Sequence, residues 1–193
     1  ALVGYTNAGK STLFNSLTAA DVVESGQLFS TLDPITRRIR LPSHQQVLLT
    51  DTVGFIRKLP PSLVVAFRAT LEELQEASLL LHVVDVTHPN AVDQISVVED
   101  ILRDLRLDRV PVMPVLNKID VLLPQLDTSK SGYHFKDLGE VESCVGMPDG
   151  LRVSAVTGRG LGNLLRQIDA TLAEVSGANV PRKQCDREGM ERG

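Results

Sequence analysis

Residues 4–11 read GYTNAGKS, which matches the phosphate-binding pattern G-x-x-x-x-G-K-[ST]. Glycines at the two fixed positions let backbone N–H groups turn inward around phosphate oxygens, and the start of the following helix adds positive charge. We expect Lys10 to reach the β- and γ-phosphates of a nucleotide and the Ser11 hydroxyl to bind Mg²⁺. A glycine turn before a helix is the alternative interpretation, and the strand–loop–helix context argues against it.

A carboxylate and a glycine end the next apolar strand, in the order Asp51-Thr52-Val53-Gly54. A carboxylate at a strand end can hold Mg²⁺ through a water molecule. The N–H of Gly54 can approach a γ-phosphate because no side chain blocks it. An aspartate before a turn is common, so the pattern is informative because it lies about one βαβ unit after the phosphate loop.

The segment Asn117-Lys118-Ile119-Asp120 follows another apolar strand and suits recognition of guanine. Asp120 can accept hydrogen bonds from both N1–H and the exocyclic amine of guanine, a donor pair that adenine lacks. The stem of Lys118 can lie over the base, and Asn117 can brace the loop. The alternative is a charged turn after a strand, which the order of the motifs disfavours.

The last motif, Ser154-Ala155, closes the final predicted strand, and its small residues would let a backbone N–H reach guanine O6. Together the four loops predict one site for GTP or GDP with Mg²⁺. Its predicted nucleotide-binding residues are Gly4, Tyr5, Thr6, Asn7, Ala8, Gly9, Lys10, Ser11, Thr12, Asp51, Gly54, Asn117, Lys118, Asp120, Ser154 and Ala155. Among them, Ser11 and Asp51 are the predicted metal ligands.

The elements that must position these loops alternate along the chain. Apolar runs predict strands at residues 1–3, 35–41, 47–50, 79–86, 110–116 and 151–154. Helical spacing predicts helices at 10–17, at 62–76, after a cap at Asn90, and at 161–172. This alternation predicts an α/β fold of the P-loop NTPase class, a Ras-like G domain whose central, mostly parallel sheet has helices on both faces.

Length and composition limit the remaining possibilities. The 193 residues fit one domain plus a tail, so we expect a GTP-binding domain at 1–176 that lacks the start of its first strand. Residues 177–193 have few apolar side chains and are predicted to be a disordered tail or linker. A net charge of −4 disfavours general nucleic-acid binding, DNA included, and no apolar run is long enough for a membrane span. Two distant cysteines indicate neither disulfides nor a metal site, which fits a reducing compartment.

Beyond the motifs, longer segments resemble the HflX family of ribosome-associated GTPases. They are GYTNAGKSTLFN (4–15), LFSTLDPITRR (28–38), LLTDTVGFIRKLP (48–60), AFRATLEEL (66–74) and LLHVVDVTHP (80–89). The resemblance covers residues 1–120 closely and 151–175 loosely, and residues 121–150 follow no pattern of the family. It implies a GTPase that acts on the ribosome, through its large subunit and rRNA, and a cytoplasmic location, with a mitochondrion or plastid as the alternative.

The resemblance also implies roles in the loops that change with nucleotide state. Thr31 lies where the family has the threonine that completes the Mg²⁺ shell and meets the γ-phosphate; Thr36 is the other candidate. With Lys10 and Gly54, Thr31 forms the predicted catalytic set. Asn7 is the residue with which some relatives hold K⁺ beside the phosphates, although it can equally serve only to shape the loop.

The residue after Gly54 is Phe55, where Ras-like GTPases carry a glutamine that orients the attacking water. A phenyl ring has no donor or acceptor, so we expect slow intrinsic hydrolysis of GTP until a partner or an ion supplies the missing group. The alternative functions are a nucleotide-dependent binding switch with negligible hydrolysis and an ATP-using protein. Several basic side chains lie along the chain around the loops of Thr31 and Gly54, and they can meet rRNA phosphates or simply be solvated. They are Arg37, Arg38, Arg40, Arg57, Lys58 and Arg68.

Overall fold

A computed structural model describes residues 1–18, 34–55, 74–107, 109–122, 147 and 149–178. The predicted α/β fold is confirmed: one six-stranded sheet has the order β2-β3-β1-β4-β5-β6. Only β2 runs antiparallel, against β3, and every other pair is parallel. Because β1, β3, β5 and β6 are parallel, the loops after their carboxyl ends meet at one edge of the sheet.

The strands are β1 (Leu2–Val3), β2 (Ile35–Arg40), β3 (Gln46–Asp51), β4 (Leu80–Asp85), β5 (Val112–Asn117) and β6 (Leu151–Arg152). The helices of the described residues are α1 (Lys10–Thr18), α2 (Ala91–Asp104), α3 (Ile119–Leu122) and α4 (Leu161–Ala178). All six residues of β4 are buried, as the continuous run of apolar residues around its histidine predicts for a central parallel strand.

Helices cover both faces of the sheet. On one face α1 and α4 bury Phe14, Leu164 and Ile168 against apolar side chains of β1, β4 and β5. On the other face α2 buries Val98 and Leu102 in a separate apolar cluster. This packing follows from the spacing of the apolar residues in each helix, and it fixes the sheet edge that carries the motifs.

Some predicted elements differ in detail from the structure. The helix predicted at 62–76 lies largely outside the described residues. The side chain of Asn90 makes no capping hydrogen bond, although the residue occupies the cap position of α2. In the turn before the helix, the Ala91 N–H donates to the carbonyl of His88. The last helix continues to Ala178, two residues past the predicted domain end.

Candidate nucleotide-binding site

The phosphate loop has backbone angles that ordinary residues avoid. Gly4 and Gly9 have φ of +151° and +92°, and Asn7 has φ of +62°, in the left-handed region that asparagine tolerates better than most residues. A Cβ on Gly4 would collide with the carbonyl of Val83, and one on Gly9 would collide with the side-chain amide of Asn117. Both glycines of the motif are therefore required by close contact with neighbouring strands as well as by backbone angle.

Lys10 lies at the start of α1 and is only 6% exposed. Its Nζ donates to the carbonyl oxygens of Gly4 (3.3 Å) and Tyr5 (3.1 Å), so the ammonium is held inside the loop that precedes it. Burial lowers the pKa of Lys10 to about 8, and the nearby charge of Asp51 only partly opposes this effect. The loop thus places a weakly solvated cation in its centre, an arrangement suited to an anionic ligand.

The loop after β3 contacts the phosphate loop directly. A Cβ on Gly54 would stand 3.0 Å from Lys10 Nζ and 2.8 Å from the Cα of Thr6, so only glycine fits there. Asp51 is buried at the end of β3, and its charge acts on Lys10. The structure therefore brings this second predicted motif against the first.

Phe55 has a structural role that its place in the sequence does not reveal. Its N–H donates to the Gly4 carbonyl (3.0 Å), and its carbonyl accepts from the Thr6 N–H (2.9 Å). The ring is 1% exposed and packs in the apolar cluster with Val3 and Leu80. Phe55 thus attaches the loop after β3 to the phosphate loop through its backbone, while its side chain lies in the core.

Asn117 joins three of the predicted loops. Its Nδ2 donates to the carbonyl of Ala8 in the phosphate loop (3.0 Å), and its Oδ1 accepts from the N–H of Ala155 (3.0 Å). The side chain is 1% exposed, so both hydrogen bonds are shielded from water. Asn117 is therefore placed as the brace that the sequence predicts, between the phosphate loop and the loop that ends β6.

Asp120 lies in the short helix α3, which begins directly after Lys118. Its Oδ1 is buried and has no hydrogen-bond partner among the described residues. A buried carboxylate oxygen without a donor is costly, so a ligand that donates to it would relieve that cost. Guanine offers such donors, in N1–H and the exocyclic amine.

The loop after β6 is closed by its own hydrogen bonds. The Ser154 Oγ accepts from the N–H of Thr157 (3.1 Å), and the Ser154 N–H donates to the carbonyl of Arg159 (2.9 Å). The Ala155 N–H already donates to Asn117 Oδ1. Its contact with guanine O6 stays a prediction, and this contact requires the N–H to be shared between the two oxygens.

Other predicted site residues are placed less fully. Ser11 is half-buried in the first turn of α1, beside Lys10, which suits a metal ligand at the loop. Thr36 lies in β2, where its hydroxyl bonds to that of Thr50 at 2.9 Å, so it belongs to the strand ladder. Thr31 lies outside the described residues and stays a prediction.

The two histidines near β4 have structural surroundings. His82 is 2% exposed in the middle of the strand, and burial, with the charge of Lys10 second, lowers its pKa to about 4. His88 Nδ1 accepts from the N–H of Asn90 (3.1 Å) in the turn before α2. His82 is therefore a packed core residue, and His88 shapes the turn before α2.

A cavity of about 590 Å³ lies away from these loops, beside Ala1, Leu79 and Leu172. None of the residues that line it belongs to the four motifs. The candidate site is instead the surface formed where the four loops meet, which is how phosphate loops usually bind their ligand.

Comparison with known proteins agrees with this geometry. Residues 1–118 match the family model described as "50S ribosome-binding GTPase". The chain is 59% identical to GTPase HflX of Caldanaerobacter subterraneus subsp. tengcongensis over 122 residues, which is 63% of this chain and 28% of that protein. It is 44% identical to GTPase HflX of Chlamydia pneumoniae over 178 residues, 91% of this chain and 35% of that protein.

A solved structure shows the same fold: a GTP-binding protein from Sulfolobus solfataricus in complex with GDP, with a TM-score of 0.66 and 30% identity. The match covers 90% of this chain and 52% of that one. The chain spans about a third of the length of the two curated relatives described above, 28% and 35%. It belongs to the 50S ribosome-binding GTPase family, and its resemblance to the HflX branch of P-loop GTPases is confirmed.

Proposed function

We propose that this chain binds GTP with Mg²⁺, hydrolyses it to GDP and phosphate, and does so as the G domain of an HflX-type protein that acts on the large ribosomal subunit. The observation that carries the proposal is the convergence of the four motifs. Lys10 lies beside Gly54, while Asn117 bonds to both Ala8 and Ala155. Multiple-turnover release of phosphate from GTP, with ATP as the comparison substrate, tests it.

Base selection rests on Asp120, whose buried Oδ1 lacks a donor among the described residues. Adenine presents a single donor at its Watson–Crick edge and no N1–H, so it cannot satisfy this carboxylate as guanine does. Competition of ATP against bound GDP is expected to fail, and Asp120→Asn is expected to weaken GDP binding because it replaces an acceptor oxygen by a donor. Equal competition by ATP and GTP would refute guanine selection.

The residues present suit magnesium. A hydroxyl from Ser11 and a carboxylate from Asp51 are hard oxygen ligands, which Mg²⁺ prefers together with phosphate oxygens and water. When bound, the ion would neutralise charge on the β- and γ-phosphates. Thr31 is the proposed third ligand, since Thr36 is engaged in the β2–β3 ladder.

Catalysis in this site would consist of positioning and charge stabilisation, with water as the nucleophile and no covalent intermediate. Lys10 would hold the oxygens between the β- and γ-phosphates, where negative charge grows as the bond breaks. The Gly54 N–H would donate to the γ-phosphate. Loss of that phosphate would remove the contacts that order the two loops that change with nucleotide state, those of Thr31 and Gly54.

A second candidate, a binding switch with negligible hydrolysis, is favoured by one specific observation. The Phe55 ring lies in the core, so the side chain after Gly54 offers nothing to orient water. We propose that intrinsic turnover is slow and that the large subunit supplies the missing group. Turnover is to be measured with and without isolated 50S subunits. Equal rates in both would exclude stimulation by the large subunit, and negligible turnover in both would support the pure switch.

The ribosomal partner is proposed from the family and the relatives, and β2 offers a surface on which to test it. Arg38 and Arg40 lie on one face of this exposed edge strand, while Arg37 points to the other. If the first face meets rRNA phosphates, Arg38→Gln with Arg40→Gln should reduce the slope of log K for 50S binding against log salt concentration by about one per lost contact. Arg37→Gln is the matched control. An unchanged salt slope in the double variant would exclude this face and leave ribosome binding itself open.

We also propose that K⁺ binds beside Asn7 and assists hydrolysis. The left-handed backbone of Asn7 explains by itself why an asparagine occurs there, so a catalytic role needs its own test. Turnover in KCl is to be compared with turnover in NaCl at equal ionic strength. Equal rates would assign Asn7 to loop shape alone.

A further inference from the structure

Asp85, at the carboxyl end of β4, belongs to none of the four nucleotide-binding motifs. It is nevertheless buried, with 8% exposure, and it carries a charge at the edge of the sheet where the motifs meet. In the parallel ladder it stands directly opposite Asn117, the first residue of the guanine motif. A buried carboxylate in this place needs partners, and it has them on both oxygens.

One oxygen of Asp85 is held by the turn that follows the strand. Oδ1 accepts from the N–H of Thr87 (2.9 Å) and from its hydroxyl (2.6 Å). These two hydrogen bonds within the turn fix the orientation of the carboxylate. The second oxygen, Oδ2, is thereby aimed across to the next loop of the sheet edge.

That second oxygen accepts from Lys118 Nζ at 2.7 Å. Burial alone would raise the pKa of Asp85, but the hydrogen bonds from Lys118 and Thr87 outweigh it and keep the pKa below its usual value. The carboxylate is therefore charged throughout the neutral range, and the ion pair is maintained.

The pair determines where the stem of Lys118 lies. Lys118 has φ of +69°, a left-handed conformation that costs free energy in a lysine and therefore needs support. Its Cε lies 3.9 Å from the position that a Cβ on Gly9 would take, so the stem runs along the phosphate loop. This stem is the surface on which a purine would rest.

We propose that Asp85 is a positioning residue for guanine nucleotides: it holds Lys118 against the phosphate loop so that the surface for the base exists before the ligand arrives. The inference rests on the proposed binding of GTP and GDP. A free lysine side chain would have to be ordered when the nucleotide binds, and that loss of rotamer freedom weakens binding. Because the pair lies on the base side of the site, GDP and GTP are affected equally.

A double-mutant cycle tests this role with four proteins: the unmodified chain, Asp85→Asn, Lys118→Met and the double variant. Asp85→Asn keeps the oxygen that accepts from Thr87 and removes the charge; Lys118→Met keeps an apolar stem and removes the ammonium. We expect Asp85→Asn to weaken GDP and GTP about tenfold, a size set by lysine rotamer entropy, and to have no further effect in the Lys118→Met background.

Asp100→Asn is the matched control, because it removes another 2.7 Å ion pair, to Arg103, on the exposed face of α2. Its GDP affinity should equal that of the unmodified chain, and melting temperatures without nucleotide check folding. Unchanged affinity in Asp85→Asn, or an equal loss with and without the ammonium, overturns the positioning role while leaving GTP binding intact. Failure of the unmodified chain to bind guanine nucleotides would overturn both proposals.

Discussion

The affinity of this protein for GDP should fall as pH rises above 8, because Lys10 must be charged to hold phosphate. Its ammonium is buried against two loop carbonyls, and the pKa of the free protein's Lys10 is lowered to about 8. A bound phosphate supplies an opposite charge that the free site lacks, so the pKa of Lys10 rises well above its free value in the complex. Binding above pH 8 therefore requires uptake of a proton.

The magnitude follows from linkage. With a pKa of about 8 in the free protein and a pKa well above 9 in the complex, the affinity is nearly constant below pH 7, about half its full value at pH 8, and roughly tenfold lower at pH 9. That is a loss of about 1.4 kcal/mol in binding free energy. The same shift predicts that the free protein gains stability between pH 8 and 10.4, as the cost of the buried charge disappears.

Calorimetric titration with GDP at pH 7, 8 and 9 and constant ionic strength measures this dependence. Lys10→Arg is the matched control, because a guanidinium stays charged throughout the range; its affinity should be weaker but independent of pH. A flat profile for the unmodified chain, or an equal decline in Lys10→Arg, would refute the assignment of the proton to Lys10.

Three further changes probe other parts of the site. Gly54→Ala places a Cβ 3.0 Å from Lys10 Nζ, so the turnover of GTP should fall roughly 100-fold while the affinity for GDP changes little. A loss of GDP affinity as large as the loss of turnover would contradict a role of Gly54 at the γ-phosphate. Asn117→Ala leaves the Ala8 carbonyl and the Ala155 N–H without their partner, so it should lower the free energy of unfolding in urea by about 3 kcal/mol. Asn163→Ala, at an exposed position of α4, should lower it by almost nothing. The pKa of His82 is lowered to about 4, so the free energy of unfolding should decline as pH falls from 6.5 to 4, by up to about 3 kcal/mol relative to His82→Leu. Parallel pH profiles of the two proteins would show that His82 does not cause the decline.

The individual loops were accessible from the sequence because each depends on local backbone chemistry. Gly4, Gly9 and Lys10 stand at fixed spacing in a short stretch, and only glycine adopts the required backbone angles without strain. The strands were equally clear, since uninterrupted apolar runs such as β4 fit a parallel sheet buried on both faces. Element ends were less certain: the side-chain capping bond expected of Asn90 is absent, although the residue occupies the cap position of α2.

Two roles that depend on long-range contact were not predicted. The sequence indicates only that Phe55 occupies the position where Ras-like GTPases carry a glutamine, yet its backbone bonds to Gly4 and Thr6 across the sheet edge. Asp85 resembled any acid at the end of a strand, and nothing in its neighbourhood along the chain points to Lys118, which is 33 residues away. Such partners are chosen by strand order and register, which a single sequence does not encode locally.

The sequence by itself determined which chemical groups are available: a lysine in a glycine loop for phosphate, oxygen ligands for a metal, and a carboxylate for guanine. Tertiary structure decided that they act together, because Asn117 reaches Ala8 over 109 residues only when parallel strands place both loops at one edge. The physical reason is that hydrogen bonds and charges act over a few ångströms, whereas the chain separates these residues by whole elements.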